Sequence, residues 1–226
     1  MTKKSPKKPQ KKKAAKSKKN AGKKSGAAGG AAGKKRADKN VSPRQRMIDA
    51  ALSLAVSRGW DQISLADIAA HAGLHMADIF DDFQDKSDVL IALGRMIDKK
   101  VLNHVSKAEP SMTVRDRLFD VLMERFDVLN ENRDGIIAIL NSFGSDPKQA
   151  VISLPHLCRS MSLTLEAAGV ESDGLRGAVK VLGLTGAYLH ALKIWMTDDT
   201  PDMGRTMAAL DKALGRIEQA ANTLGL

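Results

Sequence analysis

The chain reads as an all-α protein of about nine helices. Three features predict this. Apolar residues recur at spacings of three and four along most of residues 41–226, capping residues stand at the ends of those runs, and no window alternates with period two over a strand's length. The first helix opens at Ser42, a suitable N-cap, with Pro43 at the first helical position. Met47, Ile48, Ala51, Leu52 and Ala55 keep helical spacing until Gly59 stops it. Ser64 caps a short second helix, Leu65 to His71, ended by Gly73. A third short helix is expected from about Met76 to Phe83, and a long fourth starts near Ser87 and runs past Val105 until Pro110 interrupts.

Thr113 to Leu129 is amphipathic through Val114, Leu118, Val121, Leu122, Phe126 and Leu129. Ile136 to Phe143 is a shorter apolar helix, and Lys148 to Ala168 is another in which Pro155 is expected to kink or break the chain. Leu175–Met196 and Thr200–Leu224 close the order, with no internal repeat. Three segments follow: a lysine-rich tail at 1–40, a compact three-helix module at 41–85 and a larger helical bundle at 86–226.

Charge is divided unevenly among them. The 226 residues carry a formal charge of +10, yet residues 1–40 hold 15 Lys, Arg36 and one acid, Asp38, so the tail is +15 and the remainder −5. The tail is Lys, Ala, Gly, Ser and Pro with no large apolar side chain after Met1, a composition that cannot offset the entropy of ordering. Disorder is expected there. Cys158 is the only cysteine, so an intrachain disulfide is excluded. No apolar stretch approaches the roughly 20 residues of a bilayer span, and no hydrophobic signal core is present. A cytoplasmic, nucleoid-associated protein is the expectation.

The segment Ile63 to Lys86 has the order of a helix-turn-helix: short helix, glycine turn, short helix. Leu65, Ile68 and Ala69 are placed to pack on Leu74, Ile79 and Phe83, and Gly73 permits the turn. Through SLADIAAHAG, IFDDF, Lys86 and the following helix, residues 43–95 resemble the TetR family of one-component transcriptional repressors. The C-terminal half is similar more loosely, and YLHALKIWMTDDTPDMGRTMAALDKALGRIEQA looks like the family's terminal helix pair. The resemblance implies a homodimer, an N-terminal domain that reads operator DNA, and a larger domain that takes a small apolar effector. It carries Ser64, His75, Phe80 and Lys86 over as DNA contacts, to which Met76, Arg44 and the tail residues Lys34, Lys35 and Arg36 are added.

The recognition helix departs from the family. The family's tyrosine is Phe80 here, and Asp78, Asp81 and Asp82 stand where the protein would face DNA. Between Val41 and Leu90, Arg44, Arg46, Arg58 and Lys86 meet eight Asp, a net of −4. A carboxylate beside a phosphate costs on the order of 1 kcal/mol in water. The competing reading is that such acids stabilise the first turn of a short helix. The lysines of the tail, by releasing counterions, are expected to supply affinity that the module lacks.

Met123, Phe126, Leu140, Phe143, Leu157, Met161 and Trp195 are candidates to line an effector pocket, although at helical spacing they are first of all core residues. Leu182, Gly186 and Leu189, with Met207, Leu210 and Leu214, are candidates for a dimer seam on the last two helices. His71 and His75 are four apart, but Gly73 between them breaks the helical phase, so no metal is expected. No cofactor is implied. With no nucleophile elbow, ligand cluster or phosphate loop, an enzyme is not expected. Two other readings stand beside the regulator. One is a TetR-fold lipid-binding accessory protein of the ubiquinone-biosynthesis type, for which an acidic recognition helix is apt. The other is a nucleic-acid-associated protein in which only the tail binds.

Overall fold

A computed structural model describes residues 41–105, 111–144 and 147–224. They contain nine α-helices, one 3-10 turn and no strand. The helices are α1 Pro43–Arg58, α2 Leu65–Ala72, α3 Met76–Ile79, α4 Lys86–His104, α5 Val114–Asn130, α6 Arg133–Ser142, α7 Pro147–Ala167, α8 Gly174–Trp195 and α9 Gly204–Leu224.

The N-caps follow the expected chemistry. The Ser42 hydroxyl accepts from the backbone N–H of Gln45, and Ser64 and Asp67 exchange bonds across the first turn of α2. Thr113 and Asp116 do the same for α5. Each such cap contributes about 1 kcal/mol by satisfying N–H groups that the helix cannot. Four boundaries differ from expectation. The chain takes a 3-10 turn at Trp60–Gln62, too short to show in periodicity, which puts Trp60 into the core at 1% exposure. The third helix stops at Ile79, with Phe83 carried inward by the turn that follows. The fourth begins one residue before Ser87, because Asp85 is its cap, and stops at His104. Thr200 stands before α9, its hydroxyl accepting from Gly204 N–H.

Pro155 neither ends nor divides α7, which continues from Pro147 to Ala167 with Pro155 exposed.

The described residues belong to one unit, Ala37–Leu226. α1 lies against α2, α4 and α6, α4 against α5 and α7, and α8 against both α7 and α9. Met47, Ile68, Leu122, Phe126, Met161, Trp195 and Leu210 are fully buried in one continuous hydrophobic core. α1 and α6 approach closely at Gly135, where an added Cβ would stand 2.9 Å from the Leu52 side chain. No helix among the described residues is long and apolar enough to cross a membrane.

Candidate nucleic-acid interface

The α2–α3 corner is built as the sequence implies. Gly73 sits at φ 66°, ψ 38°, a left-handed conformation that glycine adopts without penalty, and Leu74 N–H reaches back to Ala69 O at 2.9 Å. Ile68, Ala69, Ile79 and Phe83 are buried, with Leu65 and Leu74 packed beside them. That leaves Met76 (45% exposed) and Phe80 (65% exposed) on the outer side of α3. His75, also exposed, immediately precedes the helix. Ser64, His75, Met76 and Phe80 are thus all at the surface of the corner.

Several of the module's eight aspartates are occupied locally, but of the three at the expected DNA face only Asp78 is. Asp78 accepts from His75 N–H at 3.0 Å, Asp67 from Ser64 N–H at 2.9 Å, and Asp88 from Gln84 N–H at 2.7 Å and Asp85 N–H at 3.1 Å. Hydrogen bonds from Ser64 hold the Asp67 carboxyl below its ordinary range. Asp81 and Asp82 differ: both are exposed, and their carboxylates have no partner among the described residues. The helix-stabilising explanation therefore covers Asp78 and leaves Asp81 and Asp82 as charges at the face.

The bases are occupied too. The Arg46 guanidinium, on α1, donates to the carbonyls of Ala72 and Gly73 and so clamps the turn. Lys86 donates to Trp60 O at 2.8 Å and Ile63 O at 3.1 Å, with its ammonium 4.8 Å from the centre of the Trp60 ring. Lys86, a DNA-contact candidate, is thus also tied into the module's frame. The ammonium carries three donors on one flexible stem and so can serve two carbonyls of the turn at once. Arg58 faces Asp67 at 3.9 Å on the surface. Arg44, half-buried at the start of α1, is the base of the module without a partner among the described residues. Lys34, Lys35 and Arg36 lie outside the described residues.

The effector-pocket candidates are packed as core. Phe126, Met161 and Trp195 are at 0% exposure, and the Phe126 ring lies 5.5 Å from Tyr188 and 6.2 Å from Trp195, centroid to centroid. Met123, Leu140, Phe143 and Leu157 pack on that core from its edge. Neither a small cavity of about 10 Å³ nor an open groove of about 450 Å³ is lined by any of the seven. The groove runs between α1 and the α5–α6 turn, past Leu52, Val56 and Asn132.

Periodicity could not separate core from cavity wall, because both are apolar. The signal that sequence reasoning missed is a buried charge. Arg125, on α5, is 6% exposed and donates to Asp98 of α4 at 2.7 Å; Ser160 of α7 donates to the same carboxylate oxygen. Burial works against the charge, but the Tyr188 phenol and the Asp98 carboxylate outweigh it and raise the guanidinium's pKa. Arg125 Nε has no hydrogen-bond partner among the described residues, an omission that costs about 1–3 kcal/mol for a buried donor.

The seam candidates separate into two groups. Leu182 (64%) and Leu189 (42%) are exposed on α8, with Gly186 between them where an added Cβ would meet nothing within 4 Å. Leu210 and Leu214 are buried inside the chain, at 0% and 3%, because α9 turns that stripe onto α5 and α8. They are corrected from seam to core. Met207 is half-buried. Among the described residues no three His, Cys, Asp or Glu side chains gather as a metal site.

Residues 47–93, which run from α1 into α4, match the model of bacterial regulatory proteins of the tetR family. The fold is shared with a TetR transcriptional regulator from Nitrosomonas europaea, at 21% identity and TM-score 0.61, covering 78% of this chain and 98% of that one. A TetR-family regulator from Syntrophomonas wolfei matches at 17% identity and TM-score 0.57, over 77% and 94% of the two chains. One from Rhodococcus sp. RHA1 matches at 17% identity and TM-score 0.54, over 76% and 94%. Residues 47–93 thus match the module of the tetR family, and the described helices share the all-helical fold of these TetR regulators.

Proposed function

We propose that the chain is a one-component transcriptional regulator that binds operator DNA as a homodimer, with an effector held in the helical body controlling affinity. The observation that carries this reading is the α2–α3 corner. It presents Met76 and Phe80 outward from a turn fixed by Gly73 and Arg46. Phe80 and Met76 suit apolar contact with thymine methyls, and His75 is placed for a phosphate or base edge. Arg46, Arg58 and Lys86 are engaged within the module, so phosphate neutralisation falls to Arg44 and to the tail, with Lys34, Lys35 and Arg36 nearest the module in sequence. Leu182, Gly186 and Leu189 give α8 an apolar face for a second copy. A cytoplasmic, nucleoid-associated location accords with that role, and the 41–85 and 86–226 segments are its reading and sensing parts.

A gel shift on DNA from upstream of the protein's own gene tests this, using the full chain and a chain lacking residues 1–40 over a range of salt. The full chain is expected to give a sequence-specific shift. Tail removal is expected to flatten the dependence of log K on log salt by about 0.9 for each phosphate that the tail had neutralised. An unchanged slope removes the tail from the mechanism.

Asp81 and Asp82, exposed and unpaired beside Phe80, favour the second reading, a TetR-fold accessory protein that binds lipid without reading DNA. Copurifying lipid in native mass spectrometry, with no shift, supports it. A non-specific shift that vanishes with the tail supports binding by the tail alone.

A further inference from the structure

The buried charge between α4, α5 and α7 lines the small cavity of about 10 Å³. Its polar lining is Asp98, Arg125, Ser160 and Thr164, and its apolar lining Val101, Leu102, Val121 and Leu163. Leu102 is 46% exposed, so the apolar lining reaches the surface where α4 meets its neighbours. Arg125 offers five N–H donors, yet its Nε has no acceptor among the described residues, and the Asp98 carboxylate that faces it is shared with Ser160. A planar guanidinium with an idle donor is a fork for a second carboxylate, which it would hold through two parallel bonds. Asp98 reaches Arg125 through one nitrogen.

We propose that Arg125 is the anion-recognising subsite of the effector site, and that the effector is a monocarboxylate with a compact apolar body. The incoming carboxylate takes the place of Asp98 on Arg125, and its apolar body parts Val101, Leu102 and Leu163. This rests on the regulator reading and makes the effector amphipathic where the sequence implied an apolar one. The geometry also connects the subsite to the DNA-reading module. Asp98 lies twelve residues along the unbroken helix α4 from Lys86, which is bonded to Trp60 O and Ile63 O. At the helical rise that is about 18 Å. Release of Asp98 removes one of the bonds that fix the C-terminal half of α4, beside those from Lys100 to Glu131 and His104 to Glu124, on a helix whose other end frames the module.

Calorimetric titration of the full-length protein with hexanoate, and with hexan-1-ol as its uncharged counterpart, tests the subsite without DNA. Wild type is expected to bind hexanoate at least about tenfold more tightly than hexan-1-ol. Asp98→Asn, which removes the internal competitor and keeps a partner for Ser160, is expected to bind hexanoate about tenfold more tightly than wild type. Arg125→Met alone would strand a buried carboxylate, so the paired change Asp98→Asn with Arg125→Met is the control, and circular dichroism establishes that it folds. It is expected to lose the preference for hexanoate. Equal hexanoate affinity in wild type and the paired variant overturns the proposal. So does the absence of saturable binding to Asp98→Asn at millimolar hexanoate. Failure of the titration leaves the operator shift unaffected, and failure of the shift leaves the titration unaffected, so the two readings fall separately.

Discussion

Arg46 and Arg133 close two different corners of the fold in the same way. Arg46, on α1, donates to the carbonyls of Ala72 and Gly73 at the α2–α3 corner. Arg133, on α6, donates to those of Trp195 at 2.6 Å and Asp198 at 2.9 Å at the α8–α9 corner. In both, a guanidinium from another helix satisfies carbonyls left over at a helix end. The surroundings differ. The α2–α3 corner has an exposed glycine at its left-handed position, whereas the α8–α9 corner, exposed at Thr197 and Asp199–Asp202, turns Asp198 and Met203 inward, with Met203 at φ 52°. Its centre is a carboxylate: Asp198, 2% exposed, accepts from the N–H and hydroxyl groups of both Thr200 and Thr206. The two clamps are alike in burial, and what separates the corners is the carboxylate removed from water at the centre of the second, which the α2–α3 corner lacks.

Substitutions at the two corners sharpen or break this contrast. Asp198→Ala is expected to have the largest effect, about 3–4 kcal/mol in urea unfolding, because it strands the buried Thr206 donors. Arg133→Met should cost about 2 kcal/mol, since it loses two carbonyl bonds and a guanidinium stacked 4.6 Å from the centre of the Trp195 ring. Gly73→Ala should cost about 1–2 kcal/mol: its φ is positive, and the new Cβ would stand 3.1 Å from Arg46 Nη2. Arg46→Met should cost about 1 kcal/mol. If Arg46→Met proved as damaging as Asp198→Ala, the buried carboxylate would not be what separates the corners.

The smallest effect is in pH. Burial raises the Asp198 carboxyl's pKa, but the hydrogen bonds from Thr200 and Thr206 outweigh it and hold the group well below the ordinary carboxylate range. Its folded pKa is depressed, so its contribution is fully present above the unfolded value of about 3.9. That contribution is lost as pH falls from there toward the folded value. The stability gap between wild type and Asp198→Ala, followed by urea titration, should stay constant above about pH 5 and narrow as the solution is acidified below about pH 4.

The helices were legible because their signals are local. Ser42 with Pro43, Ser64 with Asp67, and Gly59 and Gly73 each announce a boundary within four residues. What was illegible depends on residues far apart in the chain. Nothing near Arg46 or Lys86 shows that its charge is directed at carbonyls 26 positions away. The same distance hid the Asp98–Arg125 pair, each member of which reads as a surface residue on an amphipathic helix. Asp78 and Asp81 are indistinguishable as letters, yet one caps α3 and the other faces solvent, because the N3 position is set by where the helix starts. Leu189 and Leu210 are equally apolar, and only the rotation of each helix against its neighbours sends one outward and the other inward.

The chain's two tryptophans, Trp60 and Trp195, are both buried, one in the 3-10 turn behind α2 and the other at the end of α8. Each stands under a cation, Lys86 above the first and Arg133 above the second. The molecule therefore carries an intrinsic optical probe in its N-terminal module and another in its helical body. A chain with Trp60→Phe would emit only from the α8–α9 corner, and one with Trp195→Phe only from the module. Their emission, followed during denaturation or ligand addition, would time the loosening of one part against the other without any attached dye.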